Sequence, residues 1–364
     1  MSEPTVGYIG LNHHHTEPYL ESIDELPLTI TAVCEPDPAF DLEEGIDIGD
    51  DDVSMHRDPE TLLDDESPDI VWITLSNRDT PAVIEAAVKR GIDVYTEKPA
   101  ARTAKDLLPL LDTVENESAT VCVSYTWRGH PASQELQSRA ATDFFGDLRA
   151  VDARFLASQL AYRDDDHYLF DSAASRGGIV QWLGIHWIDL LPWILEDPIV
   201  RVNASLTYET PTVDVEDGAA LQFELASGAI GTLQCGYYLR EGRYDTELSI
   251  TGVDGRVSWD PMGDYFGFED ETTVEFESTR EEYSSTPRRY LTYDYAPIPG
   301  YGGGYGLDFM KQFLDARDSN DVQVPADLRD AVTVLEVLDA VYESQKTGNW
   351  VDVEGSTRKP EMTL

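Results

Sequence analysis

Short apolar stretches alternate with helical patterns along the first 124 residues. The predicted strands are Val6–Ile9, Leu28–Cys34, Ile70–Thr74, Asp93–Thr96 and Thr120–Ser124. The predicted helices between them are Thr16–Ile23, Pro81–Arg90 and Ala104–Glu115. Because strands that alternate with helices form parallel sheets with helical crossovers, residues 1–124 are predicted to form a doubly wound α/β domain of the Rossmann type.

The pattern changes after Ser124. Helices are predicted at Pro131–Ala140, Ile179–Leu195, Leu307–Ala316 and Asp327–Ser344, and strands at Leu148–Ala157, Val202–Tyr208, Gly218–Leu225, Ile230–Leu239, Thr246–Gly252 and Arg256–Trp259. Since short turns join most of these strands, residues 125–364 are predicted to form an α+β domain with a large, mainly antiparallel sheet. The acidic stretch Asp41–Asp52 and the stretch Glu277–Gly306, rich in Tyr, Pro and Gly, are expected to be loops.

The charge of the chain limits its environment and partners. Seventy acids face 26 bases, which gives a formal net charge of -44, and the acids are spread along the strand and helix patterns. Such self-repulsion is tolerable where salt screens it, at a Debye length of about 3 Å in 1 M salt. We therefore expect a salt-rich, halophilic cytoplasm, since no basic or apolar leader precedes the first strand. Nucleic acid and anionic membranes are not expected as partners.

The turn after the first strand has part of a dinucleotide-binding pattern. It reads Gly10-Leu11-Asn12-His13-His14-His15, so only the first glycine of GxGxxG is present. Asn12, which tolerates a positive φ, is expected to keep the turn. Glu35, directly after the second strand, is expected to bind the ribose hydroxyls. A carboxylate there repels a 2′-phosphate, so NAD is favoured over NADP.

The three adjacent histidines have two interpretations. Histidine is a common metal ligand, but adjacent side chains at a helix start are expected to point in different directions, and the positive end of the helix disfavours a cation. The same field favours an anion, to which imidazole N–H groups such as that of His13 can donate. The prediction is therefore a phosphate site without metal. The three cysteines are widely spaced and predict neither a disulfide framework nor a zinc site.

A further motif is Val94-Tyr95-Thr96-Glu97-Lys98-Pro99, at a strand end. It resembles the EKP motif of the glucose-fructose oxidoreductase/inositol dehydrogenase (Gfo/Idh/MocA) family. Four more segments resemble that family: Ala32–Pro38 its second strand, Asn77 its third-strand loop, Tyr125–Pro131 its entry into the second domain, and Gly177–Asp189 its catalytic helix. The resemblance covers essentially the whole chain.

The resemblance implies an NAD-dependent oxidoreductase that passes hydride between a sugar, polyol or related hydroxy compound and nicotinamide. Lys98 and His186 match the residues that orient the substrate hydroxyl and take its proton. The residues expected at the cofactor are Gly10, Asn12, His13, Glu35, Ser76, Asn77, Glu97 and Lys98. Those expected at the substrate are Tyr125, Trp127, Arg128, Trp182 and His186. A homodimer or homotetramer is also implied.

One departure from the family leaves the chemistry open. Four residues before His186, where the family's dehydrogenases usually carry an aspartate, this chain has Trp182, which can stack on a sugar ring or simply fill the core. Arg128 can bind substrate or merely neutralise acids. His167 and Tyr168 are alternative proton carriers. The competing functions are a family member without net redox turnover, such as an NAD-assisted lyase or a binding protein, and a metal-dependent hydrolase that uses the histidines.

Overall fold

The computed structural model describes residues 3–42, 53–161, 163, 167–240, 242–263, 271–294, 298–319 and 321–356. Most of the acidic stretch Asp41–Asp52 lies outside these residues. The chain divides into two compact units, Met1–Gly129 with Pro297–Val332, and His130–Ala296 with Thr333–Leu364. The helices are α1 (Thr16–Asp24), α2 (Pro59–Glu66), α3 (Thr80–Val88), α4 (Ala104–Asn116), α5 (Pro131–Ala141), α6 (Ile185–Leu195), α7 (Gly303–Asp318) and α8 (Leu328–Thr347).

The first unit is built on a six-stranded parallel sheet. Its strands are β1 (Thr5–Ile9), β2 (Thr29–Cys34), β3 (Ser54–His56), β4 (Ile70–Ile73), β5 (Asp93–Thr96) and β6 (Val121–Val123). Their order is β3-β2-β1-β4-β5-β6, which is the doubly wound Rossmann order. The predicted Rossmann fold is confirmed. Only β3 and α2 were not predicted, because three residues of mixed polarity and a short acidic helix give no clear hydrophobic period.

Local signals in the sequence explain where these helices begin. α2 has Pro59 in its first turn, and the side chain of Asp58 accepts a hydrogen bond from the N–H of Glu60. α4 begins with a capping box, in which the side chain of Asp106 accepts a hydrogen bond from the N–H of Thr103 at 3.1 Å. These caps satisfy N–H groups that have no partner within the helix.

The unit boundary differs from the predicted division at residue 124. Gly129 lies against α7, where a Cβ would come within 2.6 Å of the carbonyl oxygen of Tyr305. Arg317 of α7 donates to a carboxylate oxygen of Asp93 at 2.7 Å, which ties α7 to β5. Because α7 is distant in sequence from the Rossmann strands, the periodicity of the chain does not show that it packs with them.

The second unit contains a nine-stranded sheet. Its strands are β7 (Leu148–Leu156), β8 (Ile199–Thr207), β9 (Gly218–Leu225), β10 (Ile230–Gly236), β11 (Asp245–Gly252), β12 (Gly255–Trp259), β13 (Glu271–Ser278), β14 (Arg288–Asp294) and β15 (Val351–Asp352). The order is β14-β13-β12-β11-β7-β10-β9-β8-β15, and only β7 and β10 pair in parallel. The predicted α+β unit with a mainly antiparallel sheet is confirmed.

The predicted loop Glu277–Gly306 is wrong in part. Its residues 288–294 form β14, which pairs with β13, and α7 already begins at Gly303. β14 is an edge strand with no fully buried residue, so its sequence lacks the apolar alternation that reveals a half-buried strand. No helix in the described part of the chain is both long and apolar enough to cross a bilayer.

The predicted helix Ile179–Leu195 consists of two parts. Residues 180–184 form a π-helical turn, and α6 follows directly from Ile185. The helix lies close to the sheet at Gly184, where a Cβ would come within 2.8 Å of the sulfur of Cys235 in β10. A π-turn has more residues per turn than an α-helix and is found frequently at functional sites.

Candidate active site

The turn after β1 keeps one glycine for a steric reason. Gly10 has a φ of +102°, and a Cβ there would lie 2.7 Å from both the carbonyl carbon and the oxygen of Thr74, which follows β4. The N–H of Gly10 donates to the carbonyl of Cys34 at 2.8 Å. This residue therefore holds the turn between the ends of three strands, and a side chain has no room there.

Glu35 supports the turn from the end of β2. Its carboxylate accepts hydrogen bonds from the N–H of Asn12 at 2.7 Å and from the N–H of Asp37 at 2.8 Å. The side chain is 4% exposed. Glu35 lies where the sequence predicted it, but its bond to Asn12 was not foreseen. Because the N–H of Asn12 donates to Glu35, this amide can donate to a phosphate only if it gives up that bond.

The three histidines cluster, so the expectation that their side chains point apart is wrong. The ring centroids of the three pairs are 4.3, 5.1 and 3.9 Å apart. One ring nitrogen of each residue lies within 4.8 Å of the others. The physical reason is that α1 begins only at Thr16, so the three residues have turn geometry and not helical geometry.

The hydrogen bonds of the cluster favour an anion over a cation. Nδ1 of His13 accepts the N–H of His15 at 3.0 Å, so a neutral His13 ring carries its proton on Nε2 and presents a donor. His13 can therefore ligate a metal only if this arrangement breaks. Nδ1 of His15 lies 2.8 Å from a carboxylate oxygen of Glu97. The start of α1 adds positive partial charge, which supports the predicted phosphate role of His13.

Glu97 ends a buried relay of hydroxyl groups. The hydroxyl of Tyr95 donates to Ser124 at 3.2 Å, Ser124 and Tyr19 share a hydrogen bond of 2.6 Å, and Tyr19 donates to Glu97 at 3.0 Å. Burial raises the pKa of Tyr19 and of Tyr95 well above their ordinary values, so both phenols stay protonated. The relay links the ends of β5 and β6 to α1. The sequence alone does not reveal this relay, because buried tyrosines look like ordinary core residues.

The predicted cofactor residues of the first unit lie on one edge of its sheet. Gly10, Glu35, Asn77 and Lys98 follow the carboxyl ends of β1, β2, β4 and β5, and these ends meet at the same edge in a parallel sheet. Lys98 is 2% exposed, and Asn77 is also buried. The hydroxyl of Ser76 donates to the carboxylate of Asp79 at 2.6 Å, which fixes the loop that carries Asn77. Ligands of doubly wound sheets bind outside this edge.

The segment after β6 carries three predicted substrate residues. Tyr125, Trp127 and Arg128 are all buried. The guanidinium of Arg128 donates to the carboxylate of Asp330 at 3.0 Å and to the carbonyl of Pro325 at 3.1 Å. Of the two roles considered for Arg128, this ion pair supports neutralisation of an acid within the unit.

The remaining predicted residues lie in the second unit. His186 is buried in the first turn of α6 and stacks on Phe155 of β7, with 6.0 Å between centroids. Trp182 is buried in the π-turn, and the side chain of Gln181 donates to the carbonyl of Ser175 at 3.0 Å. Because the π-turn ends at Gly184, the four residues from Trp182 to His186 do not follow α-helical geometry throughout.

His167 has a local role in the structure. Its Nδ1 accepts a hydrogen bond from the N–H of Leu169 at 3.3 Å and so caps the short 3₁₀ helix that contains Tyr168. This contact accounts for the position of His167, and nothing in it supports the alternative proton carrier that the sequence suggested.

The fold and the site define an oxidoreductase with an NAD-binding Rossmann domain. The family described as "Oxidoreductase family, NAD-binding Rossmann fold" matches residues 5–125, and the "GFO/IDH/MocA C-terminal domain" matches residues 133–258. The chain belongs to the Gfo/Idh/MocA family of oxidoreductases, and the predicted class of enzyme, a dehydrogenase that uses a nicotinamide cofactor, is confirmed.

Individual relatives agree with this assignment. The chain is similar to D-xylose 1-dehydrogenase (NADP(+)) 2 of Haloferax volcanii, with 26% identity over 81% of this chain and 83% of the relative. It is similar to levoglucosan dehydrogenase of Pseudarthrobacter phenanthrenivorans, with 23% identity over 80% and 82%. A solved structure of levoglucosan dehydrogenase in complex with NADH and L-sorbose shares the fold, with a TM-score of 0.80, 22% identity and coverage of 97% and 99%.

Proposed function

We propose that this protein is an NAD-dependent dehydrogenase that oxidises a hydroxyl group of a sugar, a polyol or a related compound. The observation that carries the proposal is the convergence of Gly10, Glu35, Asn77 and Lys98 on the carboxyl edge of one parallel sheet. The names of the relatives, which act on xylose and levoglucosan, support a carbohydrate substrate.

The residues of the turn fit a dinucleotide. Gly10 allows the close turn, the N-terminus of α1 and the Nε2–H of His13 offer donors to a pyrophosphate, and Glu35 offers a carboxylate to the ribose hydroxyls. Ser76 and Asn77, with Glu97 and Lys98, complete the proposed cofactor contacts. When bound, the nicotinamide ring supplies the acceptor for hydride.

Two features favour NAD over NADP. Glu35 places a carboxylate where a 2′-phosphate would otherwise bind. The guanidinium of Arg57, which follows β3, already donates to the carbonyls of Glu35, Asp37 and Phe40 at 3.3, 2.7 and 2.8 Å. Arg57 can reach a phosphate only by releasing that loop. The relative from Haloferax volcanii is named for NADP, so the preference must be measured with both dinucleotides.

Lys98 and His186 are the proposed catalytic pair. We assign them to orient the substrate hydroxyl and to take its proton as the carbon–hydrogen bond breaks, with Trp182 stacked on the apolar face of the substrate. Tyr125 and Trp127 remain proposed substrate contacts.

One observation supports a second function. Trp182 stands where an aspartate is usual, and an indole cannot accept a proton. A family member that binds NAD without net redox turnover fits this substitution. The two functions differ in one result: only a dehydrogenase accumulates NADH when it is given NAD⁺ and a suitable substrate.

The test is turnover at multimolar KCl with a panel of sugars and polyols. We expect reduction of NAD⁺ by at least one substrate. Lys98→Met should lower kcat by about 100-fold or more, because one member of the proposed proton-transfer pair is lost. It should weaken dinucleotide binding far less than it lowers kcat, because the other proposed cofactor contacts remain. Lys89→Met is the matched control, because Lys89 is exposed on the same unit and pairs with Glu85. Dinucleotide binding without reduction of NAD⁺ by any substrate would favour the second function.

The environment and assembly of the protein are further proposals. The net charge of -44 supports a salt-rich, halophilic cytoplasm. The likeness to the family supports a homodimer or homotetramer, which light scattering at multimolar KCl would measure. We propose no role for nucleic acid or membranes, and no resident metal at the histidine cluster.

A further inference from the structure

We propose that Glu216 is a positioning residue for the proposed reaction, and that it acts with Tyr342 to hold the start of the helix that carries Trp182 and His186. Glu216 lies between β8 and β9, and Tyr342 lies in α8. Both residues belong to the same unit as the helix. The inference rests on the proposed function only for its effect on turnover, because the contacts themselves are structural.

Glu216 contacts the first turn of this helix at three points. Its side chain is buried, with 1% of the residue exposed. The carboxylate accepts hydrogen bonds from the N–H of Val180, at 3.1 Å, and from the N–H of Gly178. The carbonyl of Glu216 also accepts the N–H of Ile179, at 3.1 Å. These amides belong to the group that has no acceptor within the helix, so Glu216 replaces a conventional N-cap from a distant segment.

Tyr342 fixes Glu216 from the other side. Its buried hydroxyl donates to the same carboxylate oxygen at 3.0 Å. The guanidinium of Arg176 lies over the ring of Tyr342, 4.5 Å from its centroid, and forms an ion pair with Asp339 of α8. Arg176 directly precedes the two glycines at the helix start and has a φ of +81°. Arg176, which precedes the helix start, and Glu216, which binds its amides, therefore both contact side chains of α8.

The two glycines show how closely these parts fit. A Cβ on Gly177 would lie 1.7 Å from the hydroxyl oxygen of Tyr342, and a Cβ on Gly178 would lie 2.1 Å from the carbonyl oxygen of Glu216. Neither φ is positive enough to require glycine for conformational reasons. The glycines are needed because Glu216 and Tyr342 occupy the adjacent space, which indicates a precisely set contact.

A carboxylate at this point has an energetic cost that an apolar residue would avoid. Burial raises the pKa of Glu216, and its hydrogen bonds act in the opposite direction. The carboxylate lies at the positive end of a helix, where negative charge is favourable. A smaller apolar side chain would leave the amides of Gly178 and Val180 and the hydroxyl of Tyr342 with one acceptor fewer.

The position of the helix start decides the direction of the residues that follow. Trp182 and His186 come two and six residues after Val180, within one continuous helical run. A shift of the π-turn by a fraction of an ångström is passed on to both side chains, and errors of about 1 Å in the placement of a proton-transfer group can cost about 100-fold in rate.

The experiment compares Glu216→Ala, Glu216→Gln and Tyr342→Phe with the wild type at multimolar KCl. Asp217→Asn is the matched control, because Asp217 is also a buried carboxylate but binds Thr207, Thr210 and Glu209 and not the helix start. Two quantities are measured: kcat and KM, and the pKa and chemical shifts of the His186 ring in protein labelled with ¹⁵N-histidine. The His186 signal is assigned with a His186→Gln variant.

We expect Glu216→Ala and Tyr342→Phe to lower kcat by about tenfold or more with a small change in dinucleotide affinity, because proton transfer is misaligned while the other unit is untouched. Both should also shift the His186 signal and pKa. Glu216→Gln should keep most of the wild-type kcat and His186 signal, because its amide oxygen still accepts the bonds from Val180 and Tyr342. Asp217→Asn should lower the melting temperature without changing either.

An unchanged His186 signal in the folded Glu216→Ala and Tyr342→Phe proteins would overturn the inference, whatever the turnover. If Glu216→Ala does not fold, Tyr342→Phe decides alone, because it keeps the aromatic ring beneath Arg176. If the wild type reduces no NAD⁺, the proposed function fails, but a His186 shift that Glu216→Gln reverses would still support the positioning role.

Discussion

Replacement of Tyr19 by phenylalanine should destabilise the first unit more than any other single hydroxyl deletion in the relay. The ring would keep its packing against Trp72, whose centroid lies 5.5 Å away. Only the hydroxyl is lost, and it occupies the middle of the chain of donors from Tyr95 through Ser124 to Glu97. Its removal leaves Ser124 without its acceptor in the relay and removes a donor from a buried carboxylate.

The two lost bonds differ in strength. A hydrogen bond to a charged group contributes about 1.5–3 kcal/mol, and a neutral one about 0.5–1.5 kcal/mol. Since the site is buried and water cannot easily replace the hydroxyl, we expect Tyr19→Phe to lower the free energy of unfolding by about 2–4 kcal/mol. Tyr95→Phe removes only the first link, a single neutral bond at 3.2 Å, and should cost about 1 kcal/mol.

The assay is urea unfolding at a fixed multimolar KCl concentration. The two variants and the wild type are compared by midpoint and slope. Tyr8→Phe is a further control, because the buried hydroxyl of Tyr8 hydrogen-bonds with Thr74, at 3.2 Å, and with Thr16, and is not a member of the relay. Equal effects of Tyr19→Phe and Tyr95→Phe, or a loss below about 0.5 kcal/mol for Tyr19→Phe, would refute the relay.

Three further predictions concern acid, the glycine turn and salt. Burial lowers the pKa of His130 to about 3, whereas the unfolded chain binds this proton below about pH 6.5, so stability should fall as pH drops between these values. His130→Asn keeps an acceptor for the N–H of Ala132. At pH 5 its free energy of unfolding should exceed that of the wild type by about 2 kcal/mol more than it does at neutral pH, as measured by urea unfolding. An equal loss of stability in acid for the variant and the wild type would argue against this effect of His130. Gly10→Ala places a Cβ against the Thr74 carbonyl and should lower the free energy of unfolding by more than about 3 kcal/mol. Gly91→Ala, with open space around it, should lower it by about 1 kcal/mol. Thermal unfolding compares the two variants, and equal losses would contradict the steric role of Gly10. With a net charge of -44, the melting temperature should rise steeply between 0.1 and 1 M KCl as the Debye length falls from about 10 to about 3 Å, and a flat profile would contradict the halophilic interpretation.

The sequence predicted the fold well wherever burial is periodic. β5 was predicted residue by residue as Asp93–Thr96, and β9 as Gly218–Leu225, because both are bounded by clear turn residues. β14 was missed, since an edge strand needs no apolar face. The π-turn before α6 was missed as well, because helical periodicity does not distinguish a π-turn from the α-helix around it.

The candidate site was predictable in position but not in contacts. Gly10, Glu35 and Lys98 were placed at strand ends from local patterns, and the fold brings those ends to one edge. The bond from Asn12 to Glu35 and the orientation of the His13 ring depend on side chains from separate segments meeting in space. No local pattern encodes such pairings, and for the same reason the contact of Glu216 with the helix start could not be read from the sequence.

The proposed function requires that a turn with a single glycine binds a dinucleotide through Gly10, His13 and Glu35. Titration calorimetry of the purified protein with NADH and with NADPH, at multimolar KCl, tests it most directly. We expect about one NADH site per chain and weaker binding of NADPH, because Glu35 repels the additional phosphate. An absence of heat with both dinucleotides, in protein that unfolds cooperatively, would contradict it.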